Sequence, residues 1–424
     1  RQALLEAAQA TQKPDLTREL YALANCSICA QKTEIAFQAI QHLLNNNPND
    51  GIAYYYYGRA YHQQGKPSEA LINLTKATEL SYDQTLPWLG LAEFYISSGD
   101  EEHAIATLQA AIQAIPDSAQ INCRLGEIHL SRNSYTQAEA VLSHASQLDP
   151  GNSTIAYHYG LTLRRLGHTE RAKEAILNSL AHNPEDQKLA FLLAETLIDL
   201  RMYEEALPYL EAIISNRTTT QVAANLAYAQ VILRLSEKHP RMELDPENAI
   251  QALETVLEID PGNLEARALL AEALAGCKKY DQALEAYQEI FDTGLLNDAD
   301  WSYRLAIGMV RTALALEKPD IAIATLQDVI ANHPDVSLPY RLLAESYVIA
   351  QLPEHALQAA QSALSLKEDD ITTTAWIVTL LKQLLSENTT GTQKTVNLNM
   401  LNRVLEDSIE TIQTIIQTRP EHIS

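Results

Sequence analysis

The sequence predicts an all-α fold built from stacked pairs of helices. Helix-forming Ala, Leu, Glu and Gln are abundant, whereas Gly and Pro contribute only 14 + 16 = 30 of the 424 residues. Small residues also recur at intervals of 34 positions, a spacing typical of repeated helical hairpins. One hairpin cannot cover its own apolar face, so successive hairpins are expected to stack on one another. The recurring small residues are Gly58, Ala92, Gly126, Gly160 and Ala194.

Each predicted hairpin consists of a first helix (helix A), a tight turn and a second helix (helix B). Gly58 and Ala70 stand where the two helices should touch, and a larger side chain there would push them apart. Gly65 and Gly99 stand where helix A should end in a residue with positive φ. Prolines follow helix B and stop it, because proline has no amide hydrogen to donate. These prolines are Pro48, Pro116, Pro150 and Pro184, and then Pro261, Pro334 and Pro420 at irregular intervals.

Two long segments show a resemblance to a known repeat family. They are LPWLGLAEFYISSGDEEHAIATLQAAIQAIPDS and LEARALLAEALAGCKKYDQALEAYQEIFD. Both resemble tetratricopeptide repeats in their period and in the positions of their small residues, and the resemblance extends over nearly the whole chain. It implies a right-handed α-solenoid superhelix of helix-turn-helix repeats, with a concave groove lined by helix A. It implies no single function, because function resides in sites that a fold carries.

The predicted organisation has four parts. A helix B remnant of a partial repeat comes first, and a regular array of six repeats follows it. A second array contains an insertion around the sequence SEKHPRMELDPE. The chain closes with a degenerate helical pair, or cap, that contains a polar loop. In chain order the parts are 1–16, 17–220, 221–370 and 371–424, with the insertion near 234–247 and the loop at 386–397.

Charge and hydropathy narrow the possible functions. Lys and Arg number 31 and Asp and Glu 54, so the formal net charge is 31 − 54 = −23. An acidic surface repels phosphate backbones and anionic lipid headgroups, so binding to nucleic acid or to a membrane is not expected. No apolar run reaches the roughly 20 residues that a membrane-spanning helix needs. The compartment is not specified, although the repeats are bacterial in character and the cytoplasm is favoured over the periplasm.

Sequence motifs for catalysis and for metal binding are missing. Cys26 and Cys29 form a CxxC pair inside a predicted helix A, but no second pair accompanies them. A structural zinc site needs four ligands brought together. HExxH, a glycine-rich phosphate loop and a nucleophile elbow are all lacking from the sequence. We therefore expect a protein that is not an enzyme and has no catalytic residues, metal or cofactor.

The first candidate binding residues come from a run of four tyrosines, YYYY at positions 54–57. Helical periodicity divides the run between two faces of helix A. Tyr54 and Tyr57 are expected in the core between helices, whereas Tyr55 and Tyr56 are expected in the groove. Large rigid aromatic side chains make good anchors in a binding groove. The alternative is that Tyr55 and Tyr56 pack against helix A of the preceding repeat.

The remaining candidates lie on the same predicted face of helix A. A row of glutamates follows the recurring small residues, and such a row of carboxylates would favour a basic or arginine-rich partner segment. The alternative is a solvated row, since glutamate is a good helix former. Arg164 and Arg165 are expected either to pair with these glutamates or to hold a carboxylate of the partner. The row is Glu93, Glu127, Glu195, Glu272 and Glu345, and the other candidates are Arg59, Tyr157, Phe191 and Arg341.

Three functions are compatible with this pattern. The first is a non-catalytic interaction scaffold that binds a protein or peptide segment in the concave groove. The second is a periplasmic scaffold for polysaccharide export, in which groove aromatics would stack on carbohydrate. The third is a regulatory or sensing subunit of a separate enzyme. The sequence does not specify the identity of the partner or the oligomeric state.

Overall fold

A computed structural model describes residues 16–215, 221–238, 246–292 and 299–366, together with Thr379. All regular secondary structure in these residues is α-helical, and the helices follow one another in antiparallel pairs. The predicted all-α solenoid of helix-turn-helix repeats is therefore confirmed. None of the described helices is long and apolar enough to cross a membrane.

Three predicted features lie outside the described residues. The partial repeat at 1–16 is described only at its last residue, and the C-terminal pair at 371–424 only at Thr379. The polar loop at 386–397 lies wholly outside. The insertion near 234–247 is described on both sides of residues 239–245.

The chain divides into two compact units, Arg1–Ile213 and Ile214–Ser424. The first unit contains twelve described helices, the last of which extends just beyond the division. They are α1 (Thr17–Cys29), α2 (Thr33–Asn46), α3 (Gly51–Gln63), α4 (Pro67–Leu80), α5 (Thr85–Ser97), α6 (Glu101–Ala114), α7 (Ala119–Ser131), α8 (Tyr135–Leu148), α9 (Ser153–Arg165), α10 (Thr169–Leu180), α11 (Gln187–Asp199) and α12 (Tyr203–Ser215).

The second unit contains eight described helices with the same alternation. They are α13 (Gln221–Lys238), α14 (Glu247–Ile259), α15 (Leu264–Gly276), α16 (Tyr280–Asp292), α17 (Ala299–Ala315), α18 (Pro319–Asn332), α19 (Ser337–Ile349) and α20 (Pro353–Ser365). In both units the odd-numbered helices are A helices and the even-numbered helices are B helices. Within each unit, every A helix packs against the next A helix, and every A helix other than α11 also packs closely against its own B helix. The A helices therefore form a continuous row in each unit.

The two helices of a hairpin approach closely because a small residue on helix A faces a large one on helix B. A Cβ atom added to Gly58 of α3 would lie 2.5 Å from Leu74 Cγ and 3.1 Å from the carbonyl oxygen of Ala70. Leu74 is only 1% exposed, so it has little space to move away. The predicted contact of small residues between helices is thus present in this hairpin.

The turn after helix A has the predicted left-handed residue. Gly65 has a φ of +69° and Gly99 a φ of +76°. Two other hairpins place Asn133 and Arg201 at the same point, with φ values of 56° and 59°. A left-handed conformation costs an L-residue roughly 1–2 kcal/mol. Packing of the helices therefore imposes this turn even where no glycine is available.

Candidate functional site

Two cavities lie side by side on the A helices of the first unit. Cavity 1 has a volume of about 570 Å³ and cavity 2 about 320 Å³. Both are lined by Leu89 and Glu93 of α5, so the two cavities meet on this helix. The Glu93 side chain is 61% exposed, which makes the junction accessible from solvent.

Tyr55, predicted to face the groove, lines cavity 1 but is more deeply buried than a side chain of an open groove would be. Its side chain is only 6% exposed and belongs to an apolar cluster with Leu74 and Phe94. The ring occupies the space beside Gly90 of α5, where a Cβ atom would overlap it. Burial raises the pKa of the Tyr55 hydroxyl, although the positive charge of Arg59 opposes the rise. Tyr55 is therefore first of all a packing residue between two consecutive A helices.

The other three tyrosines of the run divide differently from the prediction. Tyr56 is half-buried and packs against Tyr21 of α1, with ring centroids 5.9 Å apart. Packing against the preceding A helix, the alternative in the sequence analysis, is therefore what Tyr56 does. Tyr54 and Tyr57, expected in the core, are only half-buried. The hydroxyl of Tyr54 accepts a hydrogen bond from Nζ of Lys76 at 2.8 Å.

Four of the five glutamates of the predicted row contact basic side chains of the A helices, and Glu345 makes no ion pair with a described residue. Nη2 of Arg124 on α7 lies 2.6 Å from Oε2 of Glu93 on α5, and its Nη1 contacts Glu127 on its own helix. Nε2 of His158 on α9 lies 3.2 Å from the other carboxylate oxygen of Glu127. These four side chains form a continuous chain of polar contacts across α5, α7 and α9.

The same type of pair recurs elsewhere in the A rows. Arg164 on α9 contacts Glu195 and Asp199 on α11, each at 2.8 Å. In the second unit, Nη2 of Arg304 on α17 lies 2.8 Å from Oε2 of Glu272 on α15. Arg164 therefore pairs with the adjacent repeat, one of the two roles predicted for it. Because Arg124 and Arg164 are each shared by two carboxylates, the carboxylates outnumber the guanidinium groups in both clusters, and the basic partner segment stays a prediction.

Burial and pairing fix the protonation of two groups in cavity 2. Burial disfavours the charged form of Glu127, but hydrogen bonds from His158 and Arg124 outweigh it and lower the pKa of this carboxyl to about 2. Burial, reinforced by the negative charge of Glu127, raises the pKa of the Cys123 thiol to about 12. A protonated thiol is a weak nucleophile. Cavity 2 thus contains a fixed carboxylate beside a neutral thiol.

The structure brings some of the remaining predicted residues near these cavities and leaves others apart. Arg59 lines cavity 1 and donates to the side-chain oxygen of Asn25 at 2.8 Å. Arg341 and Glu345 lie on α19 of the second unit and are half-buried. Tyr157 and Phe191 are half-buried, whereas Arg165 is exposed.

Three contributors to the site were not predicted as binding residues. Leu89 cannot be distinguished from core leucines in the sequence, because its role depends on the junction between two cavities. Arg124 precedes Glu127 by three residues, a helical spacing that allows an ion pair and is a usable sequence signal. Asp199 follows Glu195 by four residues, but two carboxylates at this spacing do not predict an ion pair with each other. The sequence therefore does not indicate that Asp199 has a cationic partner. Among the described residues, no group of three or more His, Cys, Asp or Glu side chains is arranged to hold a metal ion.

Family sequence models match much of the chain. Models described as tetratricopeptide repeat match residues 39–72, 61–122, 242–302 and 307–371. A model described as anaphase-promoting complex, cyclosome, subunit 3 matches residues 131–213. The matched segments cover helices of both units.

Individual relatives are distant. Superkiller complex protein 3 of Homo sapiens is 34% identical over 111 residues, which is 25% of this chain and 7% of that protein. Tetratricopeptide repeat protein 21B of Homo sapiens is 24% identical over 352 residues, which is 76% of this chain and 25% of that protein. The chain thus spans a quarter or less of the length of these relatives. The solved structure of pilF from Pseudomonas aeruginosa is 23% identical, with a TM-score of 0.44, and the match covers 53% of this chain and 98% of that one.

Proposed function

Since this chain is a tetratricopeptide repeat protein, we propose that it is a non-catalytic scaffold that holds a segment of another protein on the A helices of its first unit. Proteins of this family generally act as protein-interaction scaffolds. One observation carries the proposal for this chain. Cavities 1 and 2 meet at Leu89 and Glu93 and so offer adjoining recesses along consecutive A helices.

The lining of the two cavities suits a peptide segment. Leu89 and Phe94 give cavity 1 apolar walls, and Ile155 does the same for cavity 2. A cavity of about 570 Å³ lies in the size range of ligand sites that accept a large apolar group. An extended segment would place an apolar side chain in each recess. Its backbone would then pass beside the polar side chains of Arg59 and Glu93.

The side chains at the junction are polar and carry a small excess of negative charge. Arg124 is shared by Glu93 and Glu127, so one guanidinium stands against two carboxylates. Such polar groups at the edge of an apolar recess are the usual arrangement of a protein interface. We therefore propose a partner segment that is defined by its apolar side chains. The excess of negative charge at the junction would favour a basic residue in this segment, so the predicted basic character of the partner stays a prediction.

The burial of Tyr55 also bears on the carbohydrate alternative. Stacking on sugars needs an exposed aromatic face, and the Tyr55 side chain is only 6% exposed. A peptide segment is therefore the better occupant. The alternative of a regulatory subunit uses the same surface, with a segment of an enzyme as the partner.

The proposal is tested by selecting binding segments from a displayed library of random peptides. Selected segments are then titrated, by fluorescence anisotropy, with wild type, Leu89→Glu and Glu93→Lys. Ile72→Glu is the matched control, because Ile72 is 66% exposed on α4 and lines neither cavity. Circular dichroism and thermal midpoints identify any variant that does not fold.

We expect selected segments whose Kd rises about tenfold or more in Leu89→Glu, since a buried charge replaces an apolar contact. Glu93→Lys should weaken the same segments, and Ile72→Glu should leave them unchanged. The proposal fails if no segment is selected, or if the folded Leu89 and Glu93 variants bind as the control does. In that case the selected segments, if any, bind elsewhere on the chain.

A further inference from the structure

A third cavity, of about 630 Å³, lies within the second unit between α13, α15, α16 and α17. We call it cavity 3. Among the residues that the structure describes, its lining carries three guanidinium groups, those of Arg234, Arg304 and Arg311, and one carboxylate, that of Glu272. This excess of positive charge stands out in a chain whose net charge is −23. Cavity 3 shares no lining residue with cavities 1 and 2.

A tyrosine occupies a core position of helix B beside this cavity. Tyr287 is the eighth residue of α16 and is only 1% exposed. At the eighth position, seven other B helices bury an aliphatic side chain that is at most 1% exposed. These residues are Ile40, Leu74, Leu108, Leu142, Ile176, Leu210 and Leu326. Tyr287 therefore brings a hydroxyl group to a position that is aliphatic and buried in those seven helices.

The hydroxyl of Tyr287 ends at the wall of cavity 3. A Cβ atom on Gly308 of α17 would lie 2.5 Å from this hydroxyl oxygen, and both residues line the cavity. The absent side chain of Gly308 thus gives the hydroxyl its space. In the part of the chain that the structure describes, the Tyr287 hydroxyl has no hydrogen-bond partner. The hydroxyl oxygen is not fully enclosed by the described residues, so it opens onto the cavity and is available to donate to a ligand there.

The nearby cations differ in how far they are already compensated. Arg304 is paired with Glu272 at 2.8 Å. Arg311 is exposed and makes no ion pair with any described residue. Burial and the charge of Glu272 raise the pKa of the Tyr287 hydroxyl well above its ordinary value, while Arg304 and Arg311 oppose the rise. The hydroxyl therefore stays protonated and can donate.

We infer that cavity 3 binds an organic oxyanion, a carboxylate or phosphate carried on an apolar body. Arg311 and the Tyr287 hydroxyl donate to the oxygens of the anion, and Arg304 adds a second guanidinium. Guanidinium groups match carboxylate and phosphate oxygens in geometry as well as in charge. Tyr280 and Ile307, which also line the cavity, contact the apolar body. A bare phosphate would fill only a small part of about 630 Å³, so the ligand needs such a body.

Isothermal titration calorimetry of the full chain tests this site with defined probes. The probes are phenyl phosphate, benzoate, inorganic phosphate and uncharged benzyl alcohol. The variants are Arg311→Gln and Tyr287→Phe. Arg267→Gln is the control, because Arg267 is an arginine of the same unit that does not line cavity 3 and donates to the carbonyl oxygen of Pro261.

We expect phenyl phosphate and benzoate to bind, inorganic phosphate to bind more weakly and benzyl alcohol not to bind. Arg311→Gln should weaken the aromatic anions about tenfold, the usual effect of losing one charge-assisted hydrogen bond. Tyr287→Phe should also weaken them, whereas Arg267→Gln should not. The inference is overturned if no anion binds, or if Arg311→Gln leaves the affinity unchanged.

The thermal midpoint of the ligand-free Tyr287→Phe protein separates binding from packing. The hydroxyl opens onto the cavity and makes no hydrogen bond to the described residues, so its removal should leave the midpoint nearly unchanged. A lower midpoint with unchanged affinity would make Tyr287 a structural residue and would overturn the inference.

The same oxyanion chemistry has two sources, a side chain of a protein segment or a free small molecule. A peptide that contains one phosphotyrosine distinguishes them when compared with phenyl phosphate. Tighter binding of the peptide identifies a protein segment, and equal or weaker binding identifies a free small molecule. Cavities 1 and 2 do not line the anion site and are not tested by these titrations. If no anion binds to cavity 3, the proposed scaffold function of the first unit is unaffected.

Discussion

Nη2 of Arg124 lies 2.6 Å from Oε2 of Glu93, and this contact joins α7 to α5 where cavities 1 and 2 meet. The pairs of Arg164 with Glu195 and of Arg304 with Glu272 repeat the arrangement between other consecutive A helices. Apolar packing is therefore supplemented by ion pairs along the A rows. The residues that form the proposed binding surface are the same residues that hold adjacent A helices together.

Arg124→Gln should destabilise the first unit. The substitution removes the cation shared by Glu93 and Glu127, and Glu127 is only 22% exposed. Partial loss of pairing for a half-buried carboxylate gives an expected decrease of about 1–2 kcal/mol in the free energy of unfolding. Urea denaturation followed by circular dichroism measures it.

Lys318→Gln is the matched control for Arg124→Gln. Lys318 pairs at 3.2 Å with Asp281, which is 80% exposed, so solvent screens this pair strongly. The control should therefore change stability less. Equal losses in the two variants would contradict a special role of the Arg124 pairs.

The pairing of Glu127 predicts a pH-dependent contribution to stability. Its pKa is about 2 in the folded protein, below the ordinary value of 4.5, so the unfolded state binds the proton more tightly. The stabilisation is complete above about pH 4.5 and is lost as the pH falls towards 2. Glu127→Gln should thus lower the free energy of unfolding by about 1–3 kcal/mol at pH 6 and by clearly less at pH 3.

Urea midpoints of wild type and Glu127→Gln at the two pH values measure this dependence. Comparison with the variant cancels the contribution of the other carboxylates, which both proteins share. A difference that stays constant from pH 6 to pH 3 would show that the Glu127 carboxyl is not held in its charged form.

Gly58→Ala should destabilise the protein although alanine is the better helix former. The new Cβ would lie 2.5 Å from Leu74 Cγ and 3.1 Å from a backbone carbonyl oxygen, and overpacking of this kind costs about 1–3 kcal/mol. Gly276→Ala is the control, since no atom lies within 4 Å of the added Cβ. It should be neutral or stabilising by up to about 1 kcal/mol. Changes in thermal midpoint that are similar in size and sign for the two variants would contradict the close contact.

Tyr55→Ala should destabilise the first unit and not only weaken binding. Truncation of a buried aromatic side chain costs about 3–5 kcal/mol, and Tyr55 is 6% exposed beside Gly90. Tyr82→Ala is the control, because Tyr82 is 63% exposed. The thermal midpoint should fall strongly for Tyr55→Ala and little for Tyr82→Ala. An unchanged midpoint for Tyr55→Ala would contradict a packing role for Tyr55 and would favour a role in binding alone.

The helices could be predicted from the sequence because their signals are local. The contact made by Gly58 and the positive φ of Gly65 depend on one hairpin, so regular spacing reveals them. The positive φ of Arg201 has no such signal in its residue type, since arginine rarely adopts this conformation. Only its alignment with the glycines of other repeats indicates the turn.

The candidate site was less accessible to sequence analysis because it depends on contacts between repeats. A helical wheel places Tyr55 outside the core of its own hairpin, whereas in the structure its ring packs on Leu74 of that hairpin, in the space beside Gly90 of the next A helix. The pair of Arg124 with Glu93 joins residues 31 positions apart in the chain. Its formation depends on how two A helices are aligned, which the period alone does not determine.

Hydrogen exchange of the chain with and without a selected peptide segment tests the central claim most directly. Amide exchange in α3, α5 and α7 should slow when the segment binds, because these helices carry the lining of cavities 1 and 2. Exchange in the B helices α4, α6 and α8 should change less. Protection confined to B helices, or to the second unit alone, would contradict a binding surface on the A helices of the first unit.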